Sequence, residues 1–215
     1  MIPRILLLTA LLCAPAAAQE SRSTYATDSS GNFYSATARF DGRKDYIHIS
    51  RLDGAGYLVW ETDYVSLLSQ KPVAAVTGPD NLVILAARQM DGYKTLALAA
   101  YSYRNFLTWE TAFDAGAQII PVALAVDGAG NIYACGQIRG PSGRYKAKLW
   151  KYDRNGGCVW SAEYGDGSNN SYAQLLHLMY NGNIELGVKL MTGAADYGQY
   201  RRLSLVYSTD GQLLN

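Results

Sequence analysis

Imidazole is the side chain best suited to take or give a proton near neutral pH, and this chain of 215 residues holds two, His48 and His177. His177 lies in "LLHLMY". There it reads either as a satisfied core histidine on an apolar strand or as a group that meets a ligand. His48, in "YIHIS", alternates with Ile47 and Ile49 and so points away from the face those two share. Carboxylates offer a second kind of chemistry. Asp28 and Asp127 open the similar turns "DSSGN" and "DGAGN". Each turn brings one carboxylate, whereas a calcium ion takes about six to eight oxygens. The simpler role is to accept hydrogen bonds from the amides of their own turn. His177 and Asp127 are the two positions at which a ligand is expected to bear.

Other constellations fail on residue type or spacing. No G-x-S-x-G stretch presents a nucleophilic serine. The two histidines and three cysteines are scattered and do not cluster as zinc ligands do. "GAGN" runs into a strand, not into the helix N-terminus that would hold a phosphate. No catalytic set, metal site or cofactor is therefore expected. With 19 Lys plus Arg against 18 Asp plus Glu, no basic stripe is available for a phosphate backbone, and nucleic acid is not expected as a partner.

These groups are positioned by a repeated frame. The phrases "DSSGNFYSA", "TGPDNLVILAA", "VDGAGNIYACG" and "YNGNIELGV" align on Asn32, Asn81, Asn131 and Asn183, at spacings of 49, 50 and 52. Trp60, Trp109 and Trp160 keep the same period, 49 and 51 apart, and Asn215 falls where a fourth would come. Within each unit, runs of Val, Ile, Tyr and Trp are bounded by Gly, Asn and Asp clusters, the pattern of hairpin-linked strands. No apolar spacing of helical period is sustained beyond the N-terminal residues. Four antiparallel strands per unit, stacked so that each sheet covers its neighbour's face, make a β-propeller. The chain is thus expected to be all-β, with four four-stranded blades over about residues 23–68, 69–118, 119–168 and 169–215.

The phrases "DGAGNIYACG" and "KYDRNGGCVW" resemble a bacterial β-propeller repeat of the form D-x-x-G-N-[IV]-Y-x-x-G, then K-x-D-x-x-G, then Trp. The second phrase is also similar to repeats of quinoprotein-type propellers. The third unit matches best. The second departs, with Gly78-Pro79-Asp80-Asn81 and Tyr103-Arg104-Asn105 in place of the usual turns. The resemblance covers about residues 23–215 and implies the propeller fold; such repeats carry unrelated activities, so it implies no particular function.

The opening "MIPRILLLTALLCAPAAAQ" has one early cation, a short apolar run and an A-x-A tract, the plan of a Sec-type bacterial signal peptide over residues 1–18. A single domain, 19–215, is expected in the periplasm or outside the cell, with no membrane span after cleavage. "NNS" at 169–171 matches a glycosylation sequon and, behind such a signal, reads as ordinary loop. Cys13 would be removed. Cys135 and Cys158 fall on the second and fourth strands of one unit, roughly 9–10 Å apart and beyond the ~7 Å reach of a bridge, so both are expected to be free and mostly buried.

Counting back six residues from each anchoring Asn gives Ala26, Ala75, Ala125 and His177, small residues in three of four units. That suits a closed four-bladed monomer with a narrow axis, and would place His177 at the channel. A half ring completed as a homodimer, and a piece of a longer propeller, are the alternatives. The functional expectation is a secreted or periplasmic scaffold that binds a protein or glycan through loops at one end. Tyr64, Tyr172, Tyr197 and Tyr200 belong either to that face or between blades. The alternative is an enzyme of propeller-lyase or quinoprotein type, with His177 or Asp127 contributing at the channel mouth.

Overall fold

Glycine turns and β-branched or aromatic runs give fifteen strands and, among the described residues, no helix. The computed structural model describes residues 23–165, 167–192 and 198–215; the signal segment with Cys13, and Tyr197, lie outside them. Blade 1 comprises β1 (Ser23–Thr27), β2 (Phe33–Phe40), β3 (Asp45–Leu52) and β4 (Leu58–Tyr64). Blade 2 comprises β5 (Gln70–Thr77), β6 (Asn81–Gln89), β7 (Lys94–Ser102) and β8 (Leu107–Phe113). Blade 3 comprises β9 (Ile119–Val126), β10 (Ile132–Arg139), β11 (Tyr145–Tyr152) and β12 (Cys158–Tyr164). Blade 4 holds β13 (Ser171–Leu178), β14 (Ile184–Met191) and β15 (Tyr200–Tyr207). In each blade the strands pair antiparallel in chain order. Where blade 4 would have its outer strand, a single bridge joins Tyr207 to Leu213. The fold is a four-bladed β-propeller array.

Apolar side chains fill the spaces between blades. Tyr34, Ile47 and Ile49 of blade 1 meet Leu82, Ile84 and Ala99 of blade 2. Val83, Leu85 and Leu98 meet Ile132 and Trp150 of blade 3. Cys135 and Leu149 meet Leu186, Val188 and Leu205 of blade 4. Dozens of such side chains, each contributing about 1.5–3 kcal/mol when fully buried, give these sheets their mutual cover.

Two polar latches recur at every junction. On one rim, the residue before each inner strand reaches back to the first amide of the preceding blade's third strand. Asp45 N donates to Ser69 Oγ at 3.1 Å, Lys94 N to Gln118 Oε1 at 3.0 Å and Tyr145 N to Asn170 Oδ1 at 2.8 Å. On the other rim, the tryptophan of each outer strand donates its indole N–H to a turn carbonyl of the next blade: Trp60 to Tyr103 O, Trp109 to Arg154 O and Trp160 to Thr209 O, at 3.1, 2.9 and 3.0 Å. The same turn carries positive φ at Gly56, Gly156 and Gly211, and at Asn105 (φ 69°) in blade 2. Asparagine tolerates that conformation better than most residues with a Cβ. This is how the departing turn Tyr103-Arg104-Asn105 keeps the shape of the others.

The blades do not close a ring among the described residues. Inner strands pack β1 on β5, β5 on β9 and β9 on β13, and no apolar cluster joins blade 4 to blade 1. The expectation of alanines lining a narrow central axis is therefore corrected. The turn before β6 is one residue shorter than its equivalents, since Thr77 pairs Leu82 as Thr27 pairs Phe33 and Val126 pairs Ile132. The true equivalent of Ala26, Ala125 and His177 is thus Val76, not Ala75. Ala26 packs into the core between blades 1 and 2, and Val76 into that between blades 2 and 3, so this position points at the following blade and not at an axis.

The cysteines are both free, but only Cys135 is buried. Cys158 opens the outermost strand of blade 3, beyond the reach of the inter-blade core, and is exposed; the expectation of two buried thiols is corrected there.

Candidate functional site

The turn carboxylates are engaged by their own turns. Asp127 Oδ1 accepts Ala129 N and Asn131 N at 2.9 and 2.8 Å, and Oδ2 accepts Asn131 Nδ2 at 2.8 Å and the Tyr133 hydroxyl at 3.3 Å. Asp28 repeats the arrangement with Ser30, Asn32 and Tyr34. Burial would raise the Asp28 pKa, but hydrogen bonds from Asn32, Tyr34 and Ser30 outweigh it and hold the carboxyl below its ordinary value. Each turn therefore fixes the tyrosine that enters the inter-blade core.

Both histidines stand on sheet faces that no other described blade covers. In blades 1 to 3, the face toward the following blade carries apolar residues at four matched places: Tyr34, Ala36, Ile47 and Ile49; then Val83, Leu85, Leu96 and Leu98; then Tyr133, Cys135, Ala147 and Leu149. Blade 4 has Glu185, Gly187, Arg202 and Ser204 at those places. His177 shares this face with Glu185; its side chain is 60% exposed, with Nδ1 at 3.5 Å from Glu185 Oε2. Lys189 Nζ and Arg202 Cζ lie 4.4 and 5.9 Å from the centre of the Tyr200 ring.

The opposite end of the array is likewise polar. Where blade 2 has Ile84, Ala86, Ala97 and Ala99 toward its preceding neighbour, blade 1 has Ser35, Thr37, His48 and Ser50. Ser35 and Ser50 hydroxyls are 2.8 Å apart, and Ser23 and Thr37 hydroxyls 3.1 Å. His48 is buried between carboxylates, with Nδ1 2.7 Å from Asp63 Oδ1 and Nε2 3.5 Å from Glu61 Oε2. Tyr25, exposed on this face, stacks on Phe33 at 5.4 Å. Of the other tyrosines named from the sequence, Tyr64 is buried between blades 1 and 2. Tyr172 is half-buried against Tyr145 of blade 3, and Tyr200 is exposed.

A cleft of about 370 Å³ opens between blades 1 and 2 on the rim where hairpin loops and blade-linking segments emerge, lined by Asp45, Ser69, Gln70, Lys71, Ala87, Gln89 and Lys94. One lining residue, Gln70, also belongs to a polar network buried between the two blades. Arg88, buried, donates to the Tyr64 hydroxyl at 2.8 Å and to Gln70 Oε1 at 3.0 Å, and pairs with Glu110. Gln70 in turn donates to Tyr64 O at 3.0 Å. Burial and the Glu110 charge raise the Tyr64 phenol pKa against the Arg88 charge, which lowers it, so the phenol stays protonated as a donor.

The groups that line the cleft are only partly engaged. Asp45 Oδ2 takes the Ser69 hydroxyl at 3.0 Å and Lys71 Nζ at 3.4 Å. Gln89 spends its amide N–H groups on Met90 O and Tyr93 O, leaving Oε1. The Lys94 ammonium has no partner among the described residues. One carboxylate, one amide oxygen, a hydroxyl and two ammonium groups thus converge on one cleft. Sequence reading missed it because these residues come from four strands and a linker of two blades, with no local motif.

No family model and no curated protein matches the chain in sequence. Solved structures do match in shape. A neuraminidase-like protein from a Guatemalan little yellow-shouldered bat isolate superposes with a TM-score of 0.55 at 10% identity, over 89% of this chain and 57% of its own. An endo-arabinase from Bacteroides thetaiotaomicron gives 0.52 at 10% identity, over 91% and 81%. The hemagglutinin-neuraminidase of Parainfluenza Virus 5 gives 0.52 at 7%, over 89% and 62%. The chain thus spans less than two thirds of the length of the neuraminidase-like structures it matches. At these identities the likeness is one of propeller fold.

Proposed function

We propose that this is an exported propeller module that binds a glycan in the cleft between blades 1 and 2. The observation that carries the reading is the set of partly engaged donors and acceptors that line it, Asp45, Gln89, Lys71 and Lys94. A sugar presents hydroxyls that both donate and accept. Carboxylate, amide oxygen and ammonium groups along one cleft match it, and the volume lies within the usual range for small-ligand sites of about 300–1,000 Å³. The structural neighbours include proteins named for neuraminidase and arabinase activity, which supports a carbohydrate over a protein ligand.

The test is calorimetric titration of the exported chain with a panel of neutral and acidic polysaccharides, arabinan and sialylated glycans among them. A hit that weakens tenfold or more in Lys94→Met and Asp45→Asn, about 1.4 kcal/mol or more, supports the site. A blank panel, or a hit indifferent to both changes, overturns it. Release of new reducing ends in the same titrations would favour the enzyme reading, which the names of the neighbours also support.

A further inference from the structure

The two uncovered faces differ in the sign of their charge. On blade 1, Glu61 and Asp63 flank His48 and are about half exposed, side chains 58% and 46%, with Arg39 at the strand end as the opposing cation. On blade 4, Lys189 and Arg202 flank Tyr200 without a carboxylate partner among the described residues; Glu185, the acid of that face, already takes the Ser204 hydroxyl at 2.6 Å and faces His177. Each face also carries an exposed apolar knob, Tyr25 (58%) on one and Leu175 (51%) on the other.

We propose that two copies of this chain associate head to tail, blade 4 of each lying against blade 1 of the other. Each face is then covered by a surface of opposite charge, in the place where a neighbouring blade lies at every other junction. The two contacts are alike and related by a twofold axis, so the association closes instead of growing into a fibre. Eight blades in all fall at the upper end of the usual range, about four to eight. These junctions lack the tryptophan latch, because Asn215 stands in its place and bonds its own blade at Val206 N and Ser204 O. Charge pairing therefore has the larger share of the holding, which makes the association salt-sensitive. The glycan cleft lies at the junction of blades 1 and 2 and stays accessible, so its occupancy and the dimer are independent readouts.

Sedimentation velocity on the exported chain tests this. Expected are two chains per particle at micromolar concentration and low salt, and one chain per particle at high salt. The double variant Lys189→Glu with Arg202→Glu should stay monomeric at low salt. Adding Glu61→Lys and Asp63→Lys to the same chain restores complementarity and should restore the dimer, which a merely damaged fold would not do. Circular dichroism confirms that each variant folds. A single-chain mass at high micromolar concentration and low salt overturns the proposal. So does a dimer that ignores the charge reversal, or one that the fourfold swap fails to rescue.

Discussion

Four turns of equivalent position allow the tryptophan latch to be weighed against backbone conformation alone. Gly56, Gly156 and Gly211 all have φ between 83° and 87°. A Cβ on Gly156 would meet the Trp109 ring at 2.6 Å, and one on Gly211 the Trp160 ring at 2.8 Å, whereas at Gly56 it would meet nothing within 4 Å. Gly56→Ala therefore carries only the left-handed backbone penalty, about 1–2 kcal/mol. Gly156→Ala and Gly211→Ala add the displacement of a packed ring, about 1–3 kcal/mol more. For a domain of this size each kcal/mol moves the melting temperature by about 2–4 °C. Gly56→Ala should then lower Tm by about 2–8 °C, and each of the other two by roughly 2–12 °C beyond that. Thermal unfolding followed by circular dichroism, at one protein concentration for all variants, gives the comparison. If Gly56→Ala is as damaging as Gly156→Ala, the ring above the turn has no energetic weight, or something equivalent covers Gly56, and the account of a latched interior beside an unlatched end fails.

Three further outcomes follow from the same packing. The Cys135 thiol, pushed up to about 12 by burial, should not react with a thiol reagent in the native protein, whereas exposed Cys158 should; in a chain prepared without residues 1–18, one equivalent is expected before denaturation, two after, and none before it in Cys158→Ser. Glu163 takes a hydrogen bond from Lys148 at 2.9 Å, which with the Lys148 and Lys146 charges holds its carboxyl below the ordinary value against burial. Its share of stability is therefore present above the ordinary carboxylate pKa and is lost as pH falls through the depressed one, so Glu163→Gln should flatten the acid limb of a plot of Tm against pH, and an unchanged limb would contradict the assignment. Arg88→Leu removes the donor to Tyr64 and Gln70 and leaves Glu110 unpaired, costing about 2–4 kcal/mol by urea unfolding; the double variant with Glu110→Leu should cost less than Arg88→Leu alone, since no stranded charge remains.

The periodic features were legible in the sequence because they arise within one blade. Asn131 and Asp127 close a turn on themselves, and that pattern can be read without knowing what lies beside it. Trp60, Trp109 and Trp160 are likewise regular because each caps the next turn in the same way. The position of Cys158 was misjudged for the converse reason. Its exposure depends on how far the neighbouring blade reaches across β12, which is a property of the junction and not of the strand. The cleft between blades 1 and 2 and the Arg88 network belong to the same class, because Tyr64, Gln70, Arg88 and Glu110 are drawn together from four strands of two sheets.

The polar faces of blades 1 and 4 were present in the sequence but masked by register. A strand shifted by one residue exchanges its two faces, and the short turn Gly78-Pro79-Asp80-Asn81 introduces that shift into any count made from the anchoring asparagines. Counted so, Ala75 stands beside Ala26 and His177 looks like an exception at an axis. Aligned instead on the observed pairs, His177 stands with Ala26, Val76 and Ala125, opposite Glu185 where the others oppose Tyr34, Val83 and Tyr133. An apolar pair in three blades has become a polar pair in the fourth. Placed against an apolar blade face, these two groups would lose hydration without gaining partners. Whatever covers that face must therefore bring its own polar groups, and the first blade's Glu61, Asp63, Ser35 and Ser50 are of that kind.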